Sequence, residues 1–195
     1  MNTYPVLTFT CPADQLIRLA TVLQSGFYVT AAEGDSLISL LKALPGFSEA
    51  YIAKEIQTVF LNGDALDDLQ TPLSGSDATI ALAGAMPGLA GAIVRKGSPW
   101  GALRKTKTIT TAEHSGGPVS VLIKLFNTVA VDRGPGLLTG SVRINAGDLI
   151  HFLELRPSLL ASLTGLALNG SPVAPERLSE AISGFNQINV KAGQP

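Results

Sequence analysis

The sequence predicts an α+β chain of two related units, each a small mixed sheet with one packed helix. Three observations predict this. A helical segment recurs about 110 residues further on, an Asn-Gly pair follows it both times, and each copy closes on alternating apolar residues.

The elements follow in order. Val6-Leu-Thr-Phe-Thr10 and Val121-Leu-Ile-Lys-Leu-Phe126 both read as first strands. Residues 36–45 then read Ser-Leu-Ile-Ser-Leu-Leu-Lys-Ala-Leu-Pro, and residues 148–157 read Asp-Leu-Ile-His-Phe-Leu-Glu-Leu-Arg-Pro. An offset of 112 sets Leu37 on Leu149, Ile38 on Ile150, Leu40 on Phe152, Leu41 on Leu153 and Pro45 on Pro157. Leu37, Leu40, Leu41 and Leu44 share one helix face. Ser36 and Asp148 are expected to cap the two helices, because a short side-chain oxygen can accept an orphan backbone N–H. Each proline marks an expected helix end.

The next match has a different offset. Val59-Phe-Leu-Asn-Gly63 faces Leu166-Ala-Leu-Asn-Gly170 at 107, so the second copy is five residues shorter here. Asn-Gly tolerates positive φ and predicts a tight turn. Leu73-Ser-Gly-Ser-Asp77 then faces Ile182-Ser-Gly-Phe-Asn186, and Thr79-Ile-Ala-Leu82 faces Gln187-Ile-Asn-Val190, a half-buried last strand. Each copy thus reads strand, turn, strand, helix, strand with Asn-Gly turn, irregular crossing, last strand. The expected domains are residues 1–88 and 119–195, joined by a Gly-rich basic linker at 89–118.

Residues 59–63, Thr-Pro-Leu-Ser-Gly-Ser-Asp at 71–77 and Ile-Ala-Leu at 80–82 together resemble the MoaD and ThiS sulfur carriers. The resemblance implies two β-grasp (ubiquitin-like) domains, and it is weaker in the second copy. In that family the chain stops at Gly-Gly, whose carboxylate becomes a thiocarboxylate. Here the pair would fall near Gly88-Leu89, where the chain runs on, while the second copy closes on Lys191-Ala-Gly-Gln-Pro195. The carrier chemistry therefore does not carry over to the full-length chain. An internal Gly-Gly at Ser115-Gly-Gly-Pro118 leaves a carrier activated by proteolysis as an alternative, although Gly-Gly before proline also reads as an inter-domain turn.

Composition narrows the function classes. Hydrophobic residues make up 46% and charged residues 15%, which is ample for a core and carries no signature of disorder. The net charge of −1 argues against a nucleic-acid partner. Residues 1–92 carry a net −6, residues 93–118 a net +4 and residues 119–195 a net +1. Cys11 is the only cysteine, so neither an intrachain disulfide nor a Cys-rich zinc cluster can form. The first residues, Met-Asn-Thr-Tyr-Pro, lack a charged region followed by an apolar core, so no secretion signal is expected. The uncharged stretch from Ala78 to Val94 contains Pro87 and three glycines and reads as a strand entering a loop. A cytoplasmic protein without a membrane partner is expected. The high apolar fraction also favours self-association, so a homo-oligomer is compatible with the composition.

No catalytic residue, metal ligand set or cofactor is assigned. Asp148, His151 and Glu154 fall at i, i+3, i+6 but read as a solvated helix face. Cys11 and His114 lack an orienting group. Two stretches are candidates for docking a protein. Asp64, Asp67 and Asp68 after the first Asn-Gly turn form an acidic surface suited to a basic partner. Residues 86–105 set Met86, Pro87, Arg95, Lys96, Arg104 and Lys105 around the lone Trp100, a composition that interfaces favour. The same segment also reads as a linker packing between the copies, and it lacks the Gly-Lys-Ser/Thr ending of a phosphate loop. The expected function is that of a non-catalytic protein-binding or scaffold protein related to sulfur carriers, accessory to sulfur transfer or to molybdenum-cofactor or thiamine pathways. An enzyme with an inter-domain site is the further alternative.

Overall fold

The structure, a computed structural model, describes residues 4–104 and 117–193. The first part forms β1 (Val6–Thr10), α1 (Ala13–Leu19), a 3-10 helix (Ala20–Gln24), β2 (Phe27–Ala32), α2 (Leu37–Lys42) and α3 (Glu49–Lys54). It continues through β3 (Thr58–Leu61), β4 (Asp64–Ala65), β5 (Asp77–Ala83), α4 (Gly88–Val94) and a second 3-10 helix (Pro99–Leu103). The second part forms β6 (Pro118–Phe126), α5 (Asn127–Gly140), β7 (Val142–Asn145), α6 (Ala146–Glu154) and α7 (Pro157–Ser162). It ends with β8 (Thr164–Leu168), β9 (Ser171–Pro172), a third 3-10 helix (Pro175–Arg177), α8 (Leu178–Ile182) and β10 (Gln187–Gly193). The chain is α+β with mixed strand pairing.

It divides into two compact units, Tyr28–Ala130 and Met1–Phe27 with Val131–Pro195. In the Tyr28–Ala130 unit the strand order is β4-β3-β5-β6-β2. β3 runs antiparallel to β4 and β5, and β5 pairs parallel with β6 from Asp77 opposite Ser120 to Ala83 opposite Phe126. Val119, Val121, Ile123 and Leu125 of β6 are wholly buried, alternating as a strand with one core face requires. Leu37, Leu40 and Leu41 of α2 and Tyr51 and Ile52 of α3 complete this core.

In the other unit the order is β7-β10-β1-β8-β9. β10 runs antiparallel to β7 and parallel to β1, and β1 runs antiparallel to β8. Leu149, Phe152 and Leu153 of α6 are buried, as are Ile188, Val190 and Ala192 of β10. The strand sets of the two units share one plan, but each contains the first strand of the other sequence copy. β1 opens the first copy yet lies beside β10 and β8, while β6 opens the second copy and lies beside β5 and β2.

One expectation is corrected. The first and second strands of each copy are joined by helices, not by a turn. α1 with its 3-10 helix buries Leu16, Leu19, Val22 and Leu23, and α5 contributes buried Val129, Ala130, Leu137 and Leu138. A tight turn would force an antiparallel hairpin, whereas a helical connection frees each first strand for parallel pairing elsewhere. Gly134, Pro135 and Gly136, residue types that disfavour a helix interior, all lie inside α5. At Gly134 a Cβ would come within 2.6 Å of the Ala20 Cβ, so the missing side chain permits a close helix contact.

Local signals fared better. Ser36 caps α2, its side chain accepting the Ser39 N–H. In the second copy the cap is Asn145, which accepts the Asp148 N–H at 3.1 Å, so Asp148 sits in the first turn and not at the cap. Both Asn-Gly pairs are tight turns with positive φ throughout: 52° and 89° at Asn62-Gly63, 50° and 82° at Asn169-Gly170. Among the described residues no helix is long and apolar enough to cross a membrane, and the uncharged stretch 78–94 is β5 followed by α4.

Candidate functional site

The segment leaving β5 is not a plain tether. Gly84 donates its N–H to Asn127 Oδ1 at 2.7 Å, and a Cβ there would fall 2.2 Å from Thr128 Oγ1, so any larger residue would have to displace the Thr128 side chain. Gly88 starts α4 at φ 78°, and Gly91 passes so close to the Met86 carbonyl that a Cβ would stand 2.2 Å from its oxygen. Residues 88–104 then form a strap of α4 and a 3-10 helix packed together, the latter capped by Ser98, whose Oγ accepts the Trp100 N–H at 3.1 Å.

Arg104 organises the strap. Its Nε donates to the Ile93 carbonyl at 2.6 Å and one terminal nitrogen donates to the Arg95 carbonyl. These are carbonyls that the end of α4 would otherwise leave orphaned. The remaining terminal nitrogen meets Asp67 Oδ2 at 2.7 Å. Only 8% of the Arg104 side chain is exposed, against 52% for Asp67. The second oxygen of the same carboxylate, Oδ1, accepts the Gly97 N–H at 3.0 Å. Lys96 adds two further ties, its N–H to the Gln57 carbonyl at 2.7 Å and its ammonium to the Ile52 carbonyl at 3.2 Å.

The electrostatics follow from this geometry. Burial alone would raise the Asp67 carboxyl. The Arg104 and Gly97 hydrogen bonds, with the charges of Arg104 and Lys96, outweigh it and hold the group below the usual carboxylate range. Burial pulls the Lys96 ammonium below its ordinary value, and the nearby Asp67 charge opposes that pull.

The structure therefore joins two stretches that the sequence presents separately. Asp67 of the acidic trio meets Lys96 and Arg104 of the basic segment. Asp68 is exposed, its Oδ1 accepting the Gln70 N–H at 2.8 Å, and Asp64 is half-buried on β4. Arg95 and Pro87 are exposed and Met86 is half-buried, while Lys105 lies outside the described residues. Trp100 is 53% exposed. Two side chains that residue-level reasoning passed over join it at the surface: Leu89 at 69% and Leu103 at 63%. Their only signal is that they are large apolar residues in a stretch rich in glycine, alanine and basic side chains.

The remaining candidates are dispersed. Cys11 is buried, and that burial, with a lesser contribution from Asp14, pushes its thiol up, the reverse of what a nucleophile needs. His114 lies outside the described residues. Asp148, His151 and Glu154 are exposed on α6. Among the described residues no group of three or more His, Cys, Asp or Glu could hold a metal ion. Gly117, the second glycine of the internal pair, directly precedes β6. A cut after it would thus fall at the threshold of a central strand of the Tyr28–Ala130 sheet.

No protein-family model, curated protein or solved structure matches the chain.

Proposed function

We propose that this chain acts by binding a protein partner, without catalysis, and that the partner docks on Leu89, Trp100 and Leu103 of the strap. One observation carries the reading. Three large apolar side chains stay exposed on a segment that Arg104 and Lys96 anchor firmly, so they are held out toward solvent instead of being packed away. Aromatic and aliphatic anchors of this kind dominate binding energy at interfaces, and a pre-organised segment loses little entropy on docking. Exposed Arg95 supplies a polar rim.

The reading of each unit as β-grasp-like is supported by its mixed five-stranded plan and by the Asn-Gly hairpin set after the helices in both copies. On that reading the chain is a relative of the sulfur carriers that has replaced the reactive tail with a docking strap. Service to sulfur transfer, or to molybdenum-cofactor or thiamine assembly, is then the nearest expectation for the partner's pathway.

The test is affinity capture from the native cell with the wild-type chain and with a Leu89→Ser/Trp100→Ser/Leu103→Ser variant. Proteins recovered by the wild type and lost with the variant support the proposal. Capture of nothing, or of the same proteins by both, overturns it.

A further inference from the structure

We infer that Asp67 is the latch of the strap: its two carboxylate oxygens hold residues 88–104 in their presenting position, and without that carboxylate the strap comes away as a unit while the Tyr28–Ala130 sheet stays folded. The inference rests on the proposed docking role for its consequence, namely that latching sets the affinity of the three exposed side chains. The latch itself stands on geometry alone.

The bonds are distributed in a way that makes this a device and not general packing. The strap buries no apolar side chain fully: within α4 only Gly91 is buried, with Ile93 and Val94 half-buried, and within the following 3-10 helix no residue is buried. Elements that bury little apolar surface sit at the low-stability end of a protein and open locally. What holds this one is polar: Asp67 to Gly97 and Arg104, and Lys96 to Gln57 and Ile52. Arg104 ties the strap's two helices to each other through Ile93 and Arg95 and to the body through Asp67. Removing Asp67 leaves a guanidinium that is 92% covered without its counter-charge, an unfavourable state that opening relieves by returning it to water. Gly88, at φ 78°, marks the strap's root, while Gly84 just before it stays fixed by its bond to Asn127.

Hydrogen exchange on the full chain tests this without any partner. In Asp67→Asn the amides of Lys96 and Gly97 are expected to exchange about tenfold faster, while those of Ile80 and Leu82 in β5 keep their wild-type rates. Trypsin cleavage after Arg95 and Lys96, followed by mass spectrometry, is expected to accelerate in step. Arg104→Lys keeps the charge but cannot reach Ile93, Arg95 and Asp67 together, and is expected to fall between wild type and Asp67→Asn. Unchanged exchange at Lys96 and Gly97 overturns the latch. So does an equal rise in β5, which would make Asp67 and Arg104 ordinary supports of the fold. Repeating the affinity capture with Asp67→Asn separates the two proposals: a latch that opens with undiminished capture refutes the coupling to binding, whereas absence of any partner refutes the docking role and leaves the exchange result intact.

Discussion

Asn169 holds Val6 by both of its main-chain groups. The Asn169 Oδ1 accepts the Val6 N–H at 2.8 Å, and the Asn169 N–H donates to the Val6 carbonyl at 2.8 Å. Asn62 treats Thr79 in the same way, again at 2.8 Å for each bond. The same turn residue in the two copies thus performs the same task on strands of different origin. Thr79 belongs to the last strand of the first copy itself, whereas Val6 comes from the first strand of the opposite copy.

The clasp predicts a graded response at Asn169. Replacement by Gly removes the side-chain acceptor yet tolerates φ 50°, so it is expected to cost about 1 kcal/mol. Replacement by Ala removes the acceptor and adds left-handed strain, for a total of about 2–3 kcal/mol. Urea unfolding of both variants measures the difference. A Gly variant as stable as the wild type means the Asn169 side chain holds nothing.

The double turn was legible in the sequence because Asn-Gly acts through neighbouring residues alone. So were the cap at Ser36, the buried face of Leu37, Leu40 and Leu41, and the alternation along β5 and β10. The assignment of strands to sheets was not. Val6–Thr10 and Val119–Leu125 carry the alternating signature of a half-buried strand, and that signature is silent about which sheet a strand joins. α5 left no comparable signal, because Gly134, Pro135 and Gly136 all have poor helix propensity and still lie inside it. The candidate site was half legible. Residues 86–105 stood out by composition, but the Asp67–Arg104 bond spans 37 residues and leaves no local trace.

The two glycines of α5 should respond in opposite directions. Gly134→Ala places a methyl 2.6 Å from the Ala20 Cβ, and overpacking of this kind costs about 1–3 kcal/mol. Gly136→Ala meets nothing within 4 Å inside the same helix, so reduced backbone freedom in the unfolded chain is expected to stabilise by about 0.4–1 kcal/mol. Thermal melting of the pair decides it, and a destabilising Gly136→Ala contradicts the helix drawn through Pro135.

Cys11 provides a dependence on pH. Burial raises the thiol pKa in the folded chain, so the folded state resists ionisation that the unfolded state accepts. The resulting stabilisation is fully present below the unfolded thiol value of about 8.5 and is lost as pH rises from there through the folded value. Native protein is expected to leave Cys11 unlabelled by a thiol reagent at pH 8, with full labelling in urea. The alkaline fall in stability should shrink in Cys11→Ala. Rapid labelling of the native chain means the thiol is accessible, and the argument fails.

The exchange of first strands makes the sharpest prediction. Ile123 lies in the first strand of the second copy, yet it packs wholly buried in the Tyr28–Ala130 unit beside Ile80 of β5. Ile123→Ala should cost about 2–5 kcal/mol, and hydrogen exchange should register that loss at Val59, Ile80 and Leu82 ahead of Leu166 and Val190. Phe9 is the converse case, buried in β1 opposite Ala192 of β10. Phe9→Ala should loosen Leu166 and Val190 ahead of Ile80 and Leu82, although Phe9 precedes every other core element of the first copy. A linear division into 1–88 and 119–195 demands the opposite order from each variant. Comparing the two exchange profiles removes any loss common to the whole chain, because only their difference reports where each strand is inserted. Identical profiles, or profiles in the reverse order, would return β1 and β6 to their own copies.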